Sequence, residues 1–96
     1  MDEETRSAAQ ARLKRIAGQV SGIQRMVDED RYCVDILWQI AAAEAALTEA
    51  ARVILSGHFE SCLTEAMRSR DERERRKKID ELMALFSRFC RLEGAR

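Results

Sequence analysis

Proline is absent from this chain and glycine occurs only four times in 96 residues, so the two strongest helix breakers are scarce. Residues that favour helix, such as Ala, Leu, Glu and Arg, are abundant instead. No run of eighteen apolar residues occurs, which excludes an ordinary transmembrane helix. The composition predicts an all-α protein of one domain, residues 1–96. Its core would be small, and association between chains would add to its stability.

The chain has no net charge, because 17 Lys and Arg residues balance 17 Asp and Glu residues. The start, Met1 to Glu4, is acidic where a secretory signal would be basic and then apolar, so we expect a cytoplasmic protein. The balance is uneven, since residues 67–96 carry ten basic groups against six acidic ones. Bulk charge therefore neither requires nor excludes a nucleic-acid partner.

Three cysteines in a reducing compartment favour free thiols over a disulfide framework. Cys90 lies on the apolar side of the last predicted helix, and we interpret it as a buried structural thiol. The sequence has no phosphate-binding glycine loop, and neither its acidic clusters nor its single histidine and three cysteines form a recognisable catalytic arrangement. We therefore expect that the protein is not an enzyme.

Apolar side chains recur with helical spacing in three segments of the chain. The first segment predicts a helix over residues 5–29, in which Gly18 and Gly22 suggest close approach of a neighbouring helix. The second predicts a helix from Cys33 through Gly57 to about residue 68, with an alanine-rich centre at residues 41–46 that suits close helix packing. The charged residues 68–78 are predicted to hold the turn into a last helix, whose apolar stripe begins at Ile79.

His58, the single histidine, lies four residues before Cys62, so on a helix both side chains project from one face about 6 Å apart. This pair alone is a weak sign of a metal site. Cys33 is the natural third donor, but a continuous helix would hold it about 37 Å from His58. Two such helices packed antiparallel in a symmetric dimer would instead bring Cys33 of one chain beside His58 and Cys62 of the other.

The donor types limit which metal ions such a site would bind. Two thiolates and one imidazole form a small, soft set that favours Cu(I) over Mg, Ca or Mn, and they lack the fourth ligand of a structural zinc site. Ni(II) would require additional nitrogen donors, which a single histidine does not provide.

Four stretches resemble the CsoR/RcnR family, a group of small, all-helical bacterial transcriptional repressors. They are RLKRIAGQVSGIQRMVDEDRYCVDIL at 12–37, QIAAAEAAL at 39–47, HFESCL at 58–63 and IDELMALFSRF at 79–89. Arg-x-x-Gly-Gln-Val-x-Gly-Ile at 15–23, followed by Tyr-Cys and His-x-x-x-Cys, is the most specific part. The resemblance covers nearly the whole chain. It implies a three-helix subunit in an antiparallel helical-bundle dimer, a homotetramer made of two dimers, and a repressor that leaves operator DNA when its inducer binds.

The resemblance also implies roles for individual residues. Cys33, His58 and Cys62 match the copper ligands of the copper-sensing branch, while Tyr32 and Glu81 match residues that hydrogen-bond toward the ligand histidine and couple metal binding to shape. The surface implied to contact DNA comprises Arg12, Lys14, Arg15, Gln19 and Arg52. Trp38 departs from the family pattern, in which a small polar residue is usual. The charged segment at 72–76 is about three residues longer than usual, and the assignment of Glu81 depends on placing that insertion.

Sister branches of the family provide the alternatives. The nickel and cobalt branch uses more histidines than this chain has, and the formaldehyde branch has a proline at position two, where this chain has Asp2. The persulfide branch keeps both cysteines and lacks the histidine, so a persulfide-responsive repressor that uses Cys33 and Cys62 is the second hypothesis. A metal buffer or chaperone without a DNA role is the third.

Overall fold

The computed structural model describes residues 1–90, except for the side chain of Glu60. It contains three helices in chain order: α1 (Glu3–Asp28), α2 (Cys33–Arg68) and α3 (Glu72–Phe89). Residues 1–90 contain no strand, and the predicted all-α class is confirmed. None of the helices in this range has the length and apolar character needed to cross a membrane.

Helix α1 begins and ends with local hydrogen bonds that the sequence provides. At its start, the Asp2 side chain accepts a hydrogen bond from the backbone N–H of Thr5 at 2.7 Å. Hydrogen bonding with Thr5 keeps the pKa of Asp2 below its ordinary value of 3.8, and the Thr5 side chain has a larger effect than the Thr5 backbone. Glu3 and Glu4 in the first turn complement the helix dipole.

The turn from α1 to α2 is a Schellman motif. The N–H of Arg31 donates to the Met26 carbonyl at 3.0 Å, and the N–H of Asp30 donates to the Val27 carbonyl at 3.1 Å. Asp30 has a φ of 53°, the left-handed conformation that usually selects glycine at this position. The motif satisfies the last carbonyls of α1 and reverses the chain, so that α2 returns along α1.

Helices α1 and α2 pack antiparallel, and most of the buried side chains in their contact are alanines. Ala9 and Ile16 of α1 are buried, as are Ala43 and Ala50 of α2. The closest approach is at Gly57, where an added Cβ would lie 2.6 Å from Cγ2 of Thr5. A Cβ on Gly18 or Gly22 would meet no atom within 4 Å, so the prediction of close helix packing at these two glycines is wrong within the chain. The glycine that this packing requires lies in α2.

Helix α3 packs against α2 and has no packing contact with α1 within residues 1–90. It starts at Glu72, because the Asp71 side chain accepts from the N–H of Arg73 at 3.0 Å and Glu72 and Glu74 complement the helix dipole. The turn is therefore limited to residues 69–71, and the prediction that 68–78 leads into the helix was too wide. The prediction that α2 continues through Gly57 to Arg68 is confirmed.

Three contacts fix the antiparallel register of α3 on α2. The Phe59 and Phe86 rings meet edge to face with centroids 5.1 Å apart. Lys78 pairs with Glu65 at 3.8 Å toward one end, and Arg52 reaches the Phe89 carbonyl at the other. In this register, residue 81 of α3 lies level with residue 62 of α2.

The described chain has a thin core for its length. Its radius of gyration is 17.7 Å, against about 12 Å for a compact domain of this size. No large side chain among the described residues is fully buried. Large apolar side chains that stay exposed include Leu13, Val20, Val27, Val34, Leu37, Trp38, Ile40, Leu47, Met67 and Met83. A surface of this kind is typical of a chain that completes its core with other subunits.

Candidate metal centre and basic surface

All three predicted metal donors lie on α2. Cys33 is the first residue of the helix and is exposed, whereas His58 is exposed and Cys62 is half-buried near the other end. Because α2 is unbroken over 36 residues, Cys33 stays about 37 Å from His58 within one chain. No group of three His, Cys, Asp or Glu residues in the described part of the chain could hold a metal ion. One chain therefore provides the two parts of a donor set but does not bring them together.

The donors nevertheless share one side of α2. At 100° per residue, Cys33, His58 and Cys62 fall within about 40° of one another around the helix axis. Leu37, Ile40 and Leu47 lie between them near the same line, and all three are exposed. We call these six residues the donor line. The donor line thus contains two thiols, one imidazole and three apolar side chains that are exposed in the described chain.

His58 lies at the edge of an apolar cleft between α2 and α3. The cleft has a volume of about 210 Å³, and its other lining residues are Ala51, Ile54, Leu55, Leu85 and Phe89. One side of the imidazole ring therefore faces side chains without hydrogen-bonding groups. His58 is nevertheless an exposed residue.

The structure places Tyr32 and Glu81 at opposite ends of α2. Tyr32 is the residue before the helix, is 67% exposed, and makes no side-chain capping hydrogen bond. Glu81 is exposed on α3, level with Cys62 by the register of the two helices. Within one chain, Tyr32 and Glu81 therefore lie near opposite ends of α2, as Cys33 and Cys62 do.

The five residues predicted to contact DNA fall into two groups. Arg12, Lys14 and Arg15 are exposed on α1, and none of them forms an ion pair with another described residue. Gln19 is half-buried, and its Oε1 is buried without a hydrogen-bond partner among residues 1–90. Arg52 is half-buried and holds the end of α3. Only the first group offers free cations.

Cys90 is half-buried in a groove of about 250 Å³ that it shares with Arg52, Leu55, Ser56, Phe59 and Phe86. It follows Phe89 as the C-cap of α3, and its N–H donates to the Phe86 carbonyl at 2.8 Å. The thiol is therefore less buried than predicted. The neighbouring contact between Arg52 and Phe89 was missed altogether, because no local pattern connects two residues 37 positions apart.

A sequence model of the family described as "Metal-sensitive transcriptional repressor" matches residues 5–88. The chain belongs to this family. The copper-sensing transcriptional repressor CsoR of Bacillus subtilis is 48% identical over 80 residues, which cover 83% of this chain and 76% of that protein. The copper-sensing transcriptional repressor RicR of Mycobacterium tuberculosis is 48% identical over 56 residues, 58% of each chain. The resemblance to the CsoR/RcnR family is thereby confirmed.

Solved structures of the family agree with the fold. The copper-sensing repressor CsoR with Cu(I) from Geobacillus thermodenitrificans superposes with a TM-score of 0.74 and 38% identity, covering 95% of this chain and 92% of that one. The nickel-responsive transcriptional regulator InrS gives a TM-score of 0.66 and 36% identity, covering 86% and 90%. The fold alone therefore does not distinguish a copper-sensing from a nickel-responsive relative.

Proposed function

We propose that this protein is a Cu(I)-responsive transcriptional repressor that binds operator DNA in the metal-free form and releases it when Cu(I) binds between subunits. Each site would combine Cys33 of one chain with His58 and Cys62 of its partner. The observation that carries the proposal is the unbroken α2, which presents all three donors on one side but at two distant ends. Pairing between chains is the simplest way to unite them.

The donor line is suited to antiparallel pairing about a twofold axis. The midpoint between Cys33 and the His58–Cys62 pair falls at residues 46–47, next to Leu47. An axis at this point would place Leu47 near its own copy and bury Leu37 and Ile40 against the partner. It would form two equal sites. Of the exposed alanines at the centre of α2, Ala41 lies nearest to the line, about 80° around the helix axis from Cys33.

The donor set supports copper over nickel. Two thiolates and one neutral imidazole suit the soft Cu(I) ion, which accepts low coordination numbers. The chain has no second histidine to supply the further nitrogen donors that Ni(II) prefers. The apolar cleft beside His58 would shield one side of the site from water. The copper-sensing relatives favour the same choice.

Tyr32 and Glu81 would lie near the same site once two chains pair. Tyr32 precedes Cys33, and Glu81 lies level with Cys62, so antiparallel pairing would bring Tyr32 of one chain and Glu81 of the other to each set of three donors. A phenol and a carboxylate are suitable hydrogen-bond partners for a ligand imidazole. We propose that they couple the metal to the position of α3.

The proposed DNA surface consists of Arg12, Lys14 and Arg15 on α1. Gln19 and Arg52 are not included, because their side chains take part in packing within the chain. Three cations per subunit give weak binding alone, and a tetramer would sum them over four subunits. The affinity for DNA should then fall steeply as the salt concentration rises. Because the two binding equilibria are linked, copper that weakens DNA binding must itself bind more weakly to the DNA complex than to the free protein.

An anaerobic titration of the reduced protein on a DNA fragment that it binds tests the proposal. We expect about one Cu(I) per subunit and release of DNA as the sites fill. Cys33→Ala and His58→Ala should keep DNA binding and lose the response, because neither residue belongs to the basic surface. Metal-free protein that shifts no promoter fragment at low salt would contradict the repressor role. A sulfur link between Cys33 and Cys62 after polysulfide treatment, with His58→Ala still inducible, would favour the persulfide alternative.

A further inference from the structure

We infer that Arg52 is a positioning residue that holds the end of α3 on α2 and so governs the copper response, without touching DNA. The inference rests on the proposed function and adds a part to it. It concerns a contact that lies outside the three metal donors and outside the basic surface of α1.

Arg52 makes two polar contacts, and both are within the chain. Its Nε donates to the Phe89 carbonyl at 2.6 Å, and its Nη1 pairs with Glu49 one turn earlier on α2. Phe89 is the last residue of α3, so its carbonyl has no partner within the helix. A guanidinium at this point satisfies the carbonyl and complements the negative end of the helix dipole. Glu49 fixes the orientation of the guanidinium.

The same contact controls the wall of the His58 cleft. Phe89 and Leu85, on the last turns of α3, line that cleft together with His58. Because α3 packs against α2 and not α1 in the described chain, no other helix of residues 1–90 holds its end in place. The polar tie at the opposite end, Lys78 with Glu65, involves a carboxylate that is 74% exposed and contributes little. Arg75 Nη2 donates to the Ser69 carbonyl at 2.9 Å near the start of α3, so Arg52 is the polar tie at the far end, where it holds the last turn of α3 on α2.

A role for Arg52 in contacting phosphate is disfavoured by the same geometry. To reach DNA, the guanidinium would have to leave the Phe89 carbonyl, which would then lose its partner. Glu49 beside it would repel a phosphate. Arg12 on α1 has neither an acidic partner nor a carbonyl to satisfy among the described residues, and it provides a matched comparison.

Arg52→Gln and Arg12→Gln, compared in the full-length protein, separate the two roles. For each variant, operator affinity is measured against salt concentration, with and without Cu(I), and hydrogen exchange of α3 is measured in the metal-free protein. We expect Arg52→Gln to keep the wild-type salt slope, to reduce the Cu(I)-induced loss of DNA affinity by about tenfold, and to speed exchange at residues 86–89. Arg12→Gln should lower the salt slope by about one and keep the copper response.

Glu49→Gln supplies a second variant in case Arg52→Gln does not fold. It removes the group that orients the guanidinium, so it should weaken the copper response in the same direction and leave the salt slope unchanged. A salt slope that falls by about one in Arg52→Gln, or steepens in Glu49→Gln, would identify Arg52 as a phosphate contact and overturn the inference. Wild-type exchange at residues 86–89 in Arg52→Gln would also overturn it. Failure of the wild-type protein to bind DNA would refute the proposed function instead, and the exchange measurement would still decide whether Arg52 holds α3.

Discussion

The two halves of α2 differ in what covers them. The first half, from Cys33 to about Leu47, packs on α1 along one side and leaves Leu37, Ile40 and Leu47 exposed. The second half lies between the start of α1 and the whole of α3, and it carries His58 beside an apolar cleft. The first half thus offers one thiol on an open apolar surface, and the second offers two donors on a supported one. Neither half carries all three donors, so a complete site requires the first half of one α2 and the second half of another.

Charging the open half should have the largest effect. Leu47 is 48% exposed and lies at the midpoint of the donor line, so Leu47→Asp should leave the single chain folded and place two like charges near the proposed axis. We expect the dissociation constant of the dimer to rise about thirtyfold or more, measured by sedimentation equilibrium. Gln24→Asp, at an exposed polar position on α1, adds the same charge and should leave assembly unchanged. Equal assembly of both variants would place the subunit interface elsewhere.

A larger residue at Gly57, where the second half of α2 crosses α1, should destabilise the fold. A Cβ at residue 57 collides with Thr5, so Gly57→Ala should lower the free energy of unfolding by about 1–3 kcal/mol, measured by urea denaturation. Thr5→Ala in the same chain should recover part of this loss, because two of the three colliding atoms are removed. Gly18→Ala meets open space and should be neutral or stabilising by about 0.4–1 kcal/mol. Equal tolerance of alanine at both glycines would contradict this crossing of α1 and α2.

The smallest effect concerns the turn that precedes Cys33. Asp30 adopts a left-handed backbone that glycine accepts without strain, so Asp30→Gly should stabilise the fold by up to about 1 kcal/mol in thermal unfolding. Asp30→Val should destabilise it by at least that amount, since a β-branched side chain resists this conformation. A valine variant as stable as wild type would show that the Schellman motif does not persist in solution.

Periodicity and composition predicted most of the fold, and local chemistry explains where they failed. The three helices and the continuity of α2 through Gly57 follow from the spacing of apolar residues. The start of α3 was misplaced because charge density was interpreted as a turn, although Asp71 and the acids after it form a good helix start. The spacing of Gly18 and Gly22, four residues apart, predicts close packing there, but the close approach of α1 and α2 is at Gly57. Which glycine meets a neighbour depends on the crossing point of two helices, which no local pattern records.

The candidate site was predictable in its chemistry and only partly in its positions. The separation of Cys33 from His58 follows from helix rise once α2 is continuous, and the structure has that continuity. Arg12, Lys14 and Arg15 are exposed, and their contact with DNA stays a prediction. The positions of Gln19 and Arg52 did not follow from sequence, because burial at the α1–α2 contact and a bond to Phe89 depend on tertiary packing.

The central claim is that each copper site takes donors from two chains, and mixed dimers test it most directly. One chain carries Cys33→Ala and keeps His58 and Cys62, while the other carries His58→Ala with Cys62→Ala and keeps Cys33. Neither variant alone can complete a site, but the heterodimer purified through two tags contains one intact set across its interface. We predict that the heterodimer binds about half the Cu(I) of the wild-type protein, and each parent variant essentially none, in an anaerobic competition titration. A heterodimer that binds no more Cu(I) than its parents would contradict the shared site.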